Sequence, residues 1–80
     1  MYFVYILKSI KFKQIYIGLT NNTQRRLSEH NLKQNKSTKH FAPYELIATK
    51  SFSNRKIARN YEKILKTGYA REKIISYIYR

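Results

Sequence analysis

Eighty residues are enough for one small domain, and 42% hydrophobic and 15% aromatic residues suffice for a globular core. Seventeen Lys and Arg against four acids give a net charge of +13, which points to a polyanionic partner, nucleic acid first; spread along the whole chain, these cations argue against a membrane-lying helix. Without cysteine there are no disulfides, zinc–thiolate sites or cysteine nucleophiles, and no apolar run approaches the ~20 residues of a helical bilayer span. Met1 leads straight into a strand-like run with no signal-peptide pattern, so the sequence reads as that of a soluble, cytoplasmic protein with no membrane partner.

Tyr2-Phe3-Val4-Tyr5-Ile6-Leu7 and Ile15-Tyr16-Ile17-Gly18 are β-rich runs joined by the short basic segment Lys8 to Gln14, a hairpin pattern. A turn centred on Ile10-Lys11 puts Tyr5 directly opposite Tyr16, both phenols on one face, with Gly18 ending the strand. Asn21 or Asn22 caps a helix from about Thr23 to Lys33, held by Leu27 and Leu32, with Arg26 and His30 on one face. Gln34 to Ala42 has no periodicity and reads as a loop. Pro43 introduces a third strand, Tyr44 to Thr49, in the middle of the sheet or at a covered edge. Ser53 caps a helix from Asn54 to Thr67 with the stripe Ile57, Ala58, Tyr61, Ile64, Leu65, and Gly68 stops it. A last helix, about Ala70 to Tyr79, turns Ile74, Ile75 and Ile78 inward. The order is ββαβαα: an α+β fold, a small three-stranded antiparallel sheet flanked by helices, one domain over residues 1–80.

Taken singly, the candidate residues have ordinary explanations. The two tyrosines could be cross-strand packing, Gly18 a turn glycine, Arg26 one cation among seventeen, His30 a surface histidine, and Glu62 the partner of some lysine. The inventory as a set is narrower. The acids are Glu29, Glu45, Glu62 and Glu72, with no Asp, so a two-metal carboxylate site has too few ligands, and Gly-rich phosphate loops and serine-nucleophile elbows are absent. Phenols, one guanidinium, one imidazole and one glutamate at the margin of an apolar helix stripe support phosphodiester hydrolysis at one metal ion.

Val4-Tyr5 and, after ten intervening residues, Tyr16-Ile17-Gly18 resemble the two name-giving motifs of the GIY-YIG nuclease superfamily. Thr20-Asn21-Asn22 followed by Arg26-Leu27-x-x-His30 is similar to that family's first-helix motif, and Glu62 falls where the family has a metal-binding glutamate. The run Lys66-Thr67-Gly68-Tyr69-Ala70-Arg71-Glu72-Lys73 looks like the tail of the small stand-alone members, and Phe3 departs from the motif by standing where it has glycine. The resemblance implies a metal-dependent endonuclease acting on DNA, or on RNA, with one Mg²⁺ or Mn²⁺ on Glu62. It implies that Tyr5 or Tyr16 orients or deprotonates the attacking water, that Arg26 holds the scissile phosphate, and that His30 serves proton transfer or phosphate contact. Asn60 and Lys66 are supporting candidates, and Arg25, Lys33, Lys36, Lys39 and His40 are candidates for nucleic-acid binding. With no further DNA-binding domain in the sequence, selectivity is expected to be structural or absent, or to come from a protein partner. The rival expectation is a basic nucleic-acid-binding module on the same fold that does no chemistry.

Overall fold

The unbroken apolar run of the N-terminal ribbon, Tyr2 to Leu7, sets the architecture. The computed structural model describes residues 1–36 and 38–79. In it β1 (Tyr2–Ser9) pairs antiparallel with β2 (Ile15–Thr20) on one side and with β3 (Tyr44–Phe52) on the other, giving the strand order β2-β1-β3. Helices α1 (Thr23–Asn31), α2 (Arg55–Leu65) and α3 (Gly68–Ile78) and one 3-10 turn (Lys39–Phe41) complete the order ββαβαα expected from the sequence. No helix among the described residues is long and apolar enough to cross a membrane.

The hairpin register differs by two residues from the expected one. Tyr5 faces Gly18, and Tyr16 faces Leu7. The loop sets this: the Ser9 N–H donates to the Gln14 carbonyl (2.9 Å), while the Ser9 hydroxyl donates to the Phe41 carbonyl (2.6 Å) and accepts from the Phe12 N–H (3.1 Å). A slip of two preserves the faces of a pleated strand, so the phenols still share one face, diagonally rather than directly opposed. Gly18 lies inside β2, which continues to Thr20.

Alternate residues of β1 serve two cores. Val4, with Ile15, Ile17 and Ala58, packs under α2 and α3, joined by Tyr61, Leu65, Ile74, Ile75 and Ile78. Tyr5 and Leu7 pack with Ala42 and Tyr44 on the other face, under Leu27 of α1 and Phe41. The sheet is thus enclosed between α1 and the α2–α3 pair. β1 is its centre, whereas β3 is an edge strand whose side chains are mostly exposed.

Several helix details differ from expectation for local reasons. Asn22 caps α1 by accepting from the Arg25 N–H (3.0 Å), and α1 ends at Asn31, leaving Leu32 exposed while His30 fills the seam. Asn54, not Ser53, caps α2. The buried stripe of α2 is Ala58 and Glu62 with Tyr61 and Leu65 beside them; Ile57 and Ile64 face solvent. Small Ala58 lets the helix approach the sheet, and that rotates the isoleucines outward. Gly68 does not stop α2: Lys66 ends it, Thr67 caps α3, and Gly68 opens α3.

Asn31 fastens the end of α1 to the sheet. Its Oδ1 accepts from the Tyr44 N–H (2.6 Å) and its Nδ2 donates to the Tyr44 carbonyl (3.0 Å). Replacing it with Ala leaves two backbone groups of a buried residue without partners. Asn31→Ala is therefore expected to lower unfolding free energy by about 1–3 kcal/mol in urea titrations, and an unchanged midpoint would show the clamp to be dispensable.

Candidate active site

The site begins with a steric fact about the hairpin. A Cβ on Gly18 would stand 2.4 Å from the Tyr5 hydroxyl oxygen and 2.5 Å from the ring carbon bearing it, so the Tyr5 ring lies across the bare backbone of its cross-strand partner. Only glycine admits that approach. The Tyr5 hydroxyl reaches His30 Nε2 (3.2 Å), and His30 Nδ1 meets the Thr38 hydroxyl (2.7 Å), which donates to the Asn35 carbonyl (3.5 Å). We assign the proton of His30 to Nδ1 from this pattern, so Nε2 accepts from the Tyr5 O–H. Burial, followed by the charge of Arg26, lowers the His30 pKa below its ordinary value and keeps the ring neutral. Burial also pushes the Tyr5 phenol up to about 12, despite the opposing pull of Arg26.

Tyr16 leans over this pair, its ring centroid 4.7 Å from His30 and 6.2 Å from Tyr5, and is less deeply buried than Tyr5. Arg26, on the same face of α1 as His30, points its guanidinium at the phenols and is held by Glu29 one turn on (2.9 Å). Glu29 first, then the phenols, hold the Arg26 pKa above the usual arginine value, and Arg26 in turn lowers that of Glu29. Glu62 is 3% exposed, more deeply buried than its place beside the apolar stripe suggested. One of its oxygens meets Arg59 (2.9 Å) and the other Lys66 (3.2 Å), both on its own helix.

These side chains line one open cleft of about 620 Å³ that straddles the free edge of β2 between α1 and α2. Tyr5, Tyr16, Gly18, Arg26, Glu62, Arg25 and Lys66 all face it. His30 does not: it is fully buried behind the phenols. Asn60 lies on the outer side of α2 among Arg55, Lys56 and Lys63. Lys36 lines a smaller depression that shares Arg26 and Glu29 with the cleft, while Lys33, Lys39 and His40 are exposed beyond it. Sequence reasoning missed Arg55 and Arg59, which also line the cleft. Their signal was present, since 55, 59, 62 and 66 follow helical spacing and share one face. Thr38 had no such signal; only the folded loop brings it to His30.

Among the described residues no three His, Cys, Asp or Glu side chains form a metal cluster. A magnesium ion bound through one or two carboxylates keeps several waters and takes its remaining oxygens from substrate phosphate. The carboxylate of Glu62, turned into a cleft open to a phosphate, fits such an ion, while Glu29, the other carboxylate lining the cleft, is held by Arg26. Arg59 and Lys66 are exposed enough to swing away from Glu62.

The family model described as the GIY-YIG catalytic domain matches residues 1–74, and the chain belongs to this family of nucleases, whose substrates are nucleic acids and which commonly use divalent metals. The chain is also similar to the solution NMR structure of a UPF0213 protein from Bacillus halodurans, with a TM-score of 0.54 and 28% sequence identity over 94% of this chain and 82% of that one. The matched domain thus occupies almost the whole of these 80 residues. None of the curated proteins matches it.

Two outcomes follow from the packing. Gly18→Ala should destabilise the wild-type background by about 1–3 kcal/mol, as an added core methyl without room does, but cost almost nothing in a Tyr5→Ala background; equal costs in both would separate Gly18 from the Tyr5 ring. The His30 pKa is lowered on folding, so the unfolded chain binds the extra proton first as pH falls. Stability should therefore decline below about pH 6.5, by at most about 1.4 kcal/mol per pH unit. Denaturant midpoints at about pH 7.5 and 5.5 should show this drop equally in wild type and His40→Gln, and a flat response would contradict a neutral, buried His30.

Proposed function

We propose that the chain is a divalent-metal-dependent endonuclease that hydrolyses phosphodiester bonds, DNA foremost and RNA as the alternative, selecting by structure or not at all. The observation that carries this reading is the sharing of one cationic cleft by two phenols, a guanidinium and a buried carboxylate. Arg25, Arg26, Arg55, Arg59 and Lys66 draw the phosphate in. Glu29 fixes the direction of Arg26, which stabilises the charge gathering on the phosphoryl oxygens as water attacks phosphorus and the leaving P–O bond breaks. The Tyr5 hydroxyl is buried and tied to His30, so Tyr5 acts as a hydrogen-bonded fixture, and the less buried Tyr16 takes the role of orienting the attacking water. His30 is a positioning residue that holds the Tyr5 hydroxyl. Glu62 would hold one Mg²⁺ or Mn²⁺, which when bound neutralises charge on the phosphate and leaving oxygen. The reading takes residues 1–80 as one cytoplasmic domain, with any sequence selectivity supplied by a protein partner.

A second reading, a binding module without turnover, draws on the engagement of both Glu62 oxygens by cations. The same assay separates the two. Purified protein with branched, nicked and single-stranded substrates and Mg²⁺ or Mn²⁺ should cleave, with Arg26→Ala and Glu62→Ala slower by about two orders of magnitude or more. Tyr16→Phe is expected to lose more rate than Tyr5→Phe. Cleavage untouched by the first two substitutions rejects the assignment; tight salt-sensitive binding with no cleavage under either metal establishes the binding module.

A further inference from the structure

Helix α2 is charged against its own stability. Arg55 and Lys56 occupy its first turn, which contains no acid, and the helix macrodipole disfavours positive charge there. Arg55–Arg59 and Arg59–Lys63 are like-charge pairs four residues apart, which destabilise a helix. Arg59 is neutralised by Glu62, but among the described residues no carboxylate lies within ion-pair distance of Arg55, Lys56 or Lys63. These cations line a depression of about 620 Å³ with Asn60, and Arg55 and Arg59 line both it and the cleft, so the two adjoin.

We propose that this outer face of α2 is a second phosphate-binding surface that carries the nucleic-acid strand away from the scissile bond. The inference rests on the nuclease reading above and adds the path of the substrate to it. Charge that costs the isolated helix stability is relieved when a polyanion lies along it, and lysine and arginine at successive turns match a backbone of repeated phosphates. No aromatic ring lines this depression, so the surface offers no platform for base stacking and binds the backbone without regard to sequence. A substrate that ends at the cleft would gain nothing from it, whereas a longer strand would.

The test is binding in EDTA, measured by fluorescence anisotropy with a labelled single strand of roughly 20 nucleotides from about 50 to 200 mM KCl. The variant Arg55→Gln/Lys56→Gln/Lys63→Gln, which leaves Arg59 on Glu62, is compared with Lys11→Gln/Lys13→Gln/Lys73→Gln, which removes the same charge away from the cleft. The α2 variant should lower the slope of log K against log salt by about 2, at roughly 0.7 per lost phosphate contact, and the control by less than half of that. Equal losses in the two variants would overturn the proposal. In the absence of nucleic acid the α2 variant should keep its helical circular dichroism and melt at a higher temperature; a lower one would contradict the argument from helix charge. Because no turnover is measured, equal slopes beside a cleavage-dead Arg26→Ala would sink the surface alone, and the converse would sink the nuclease reading alone.

Discussion

The Tyr5 ring resting on the bare backbone of Gly18 is the contact on which the site depends. It brings a phenol from the central strand across the edge strand, where a bulkier residue at position 18 would block it. From there the hydroxyl is tied through His30 to Thr38 and Asn35, so one chain of hydrogen bonds links β1, α1 and the loop after it. A buried polar chain of this kind contributes most when every member is partnered, and among the described residues no buried side-chain nitrogen or oxygen lacks a partner. The rigidity of the site is therefore a property of the fold and not of the cleft residues alone.

The electrostatics divide the site into a floor and a wall. The floor, Tyr5 and His30, is kept uncharged by burial. The wall is cationic, and the acids there serve to aim cations: Glu29 holds Arg26, while Glu62 holds Arg59 and Lys66. Two of the four acids in the chain are spent in this cleft. An arrangement of positive charge over a buried, neutral floor suits an incoming phosphate better than any neutral substrate.

The fold was legible from local signals because those signals were strong. β-branched and aromatic residues marked the hairpin, asparagine marked the start of α1, and the isoleucines of α3 marked its buried side. The hairpin register was misjudged by two, yet an even slip leaves every side chain on its face, so the pairing of phenols survived the error. The rotation of α2 was not legible, because Ile57 and Ile64 look like core residues while small Ala58 determines which side packs. The burial of His30 was equally hidden: a helix with one good apolar residue gives no hint that an imidazole will fill its seam, and its partner Thr38 lies in a loop without periodicity. Arg26 and Glu62 could be named from motif spacing, but their convergence needed three dimensions.

The chain belongs to the GIY-YIG family, and in the proposed reading the residues that line its cleft act together on one phosphate. The central claim is that Glu62, Arg26 and the Tyr5–Gly18 pair surround one phosphate and one divalent ion. Paramagnetic broadening by Mn²⁺ in NMR spectra, recorded with a cleavage-resistant phosphorothioate oligonucleotide bound, tests that claim most directly. The account predicts that the amides of Gly18, Leu19, Arg26 and Glu62 broaden together and saturably, and that E62Q abolishes the effect. Broadening that persists in E62Q, or that centres away from the β2 edge, would contradict it.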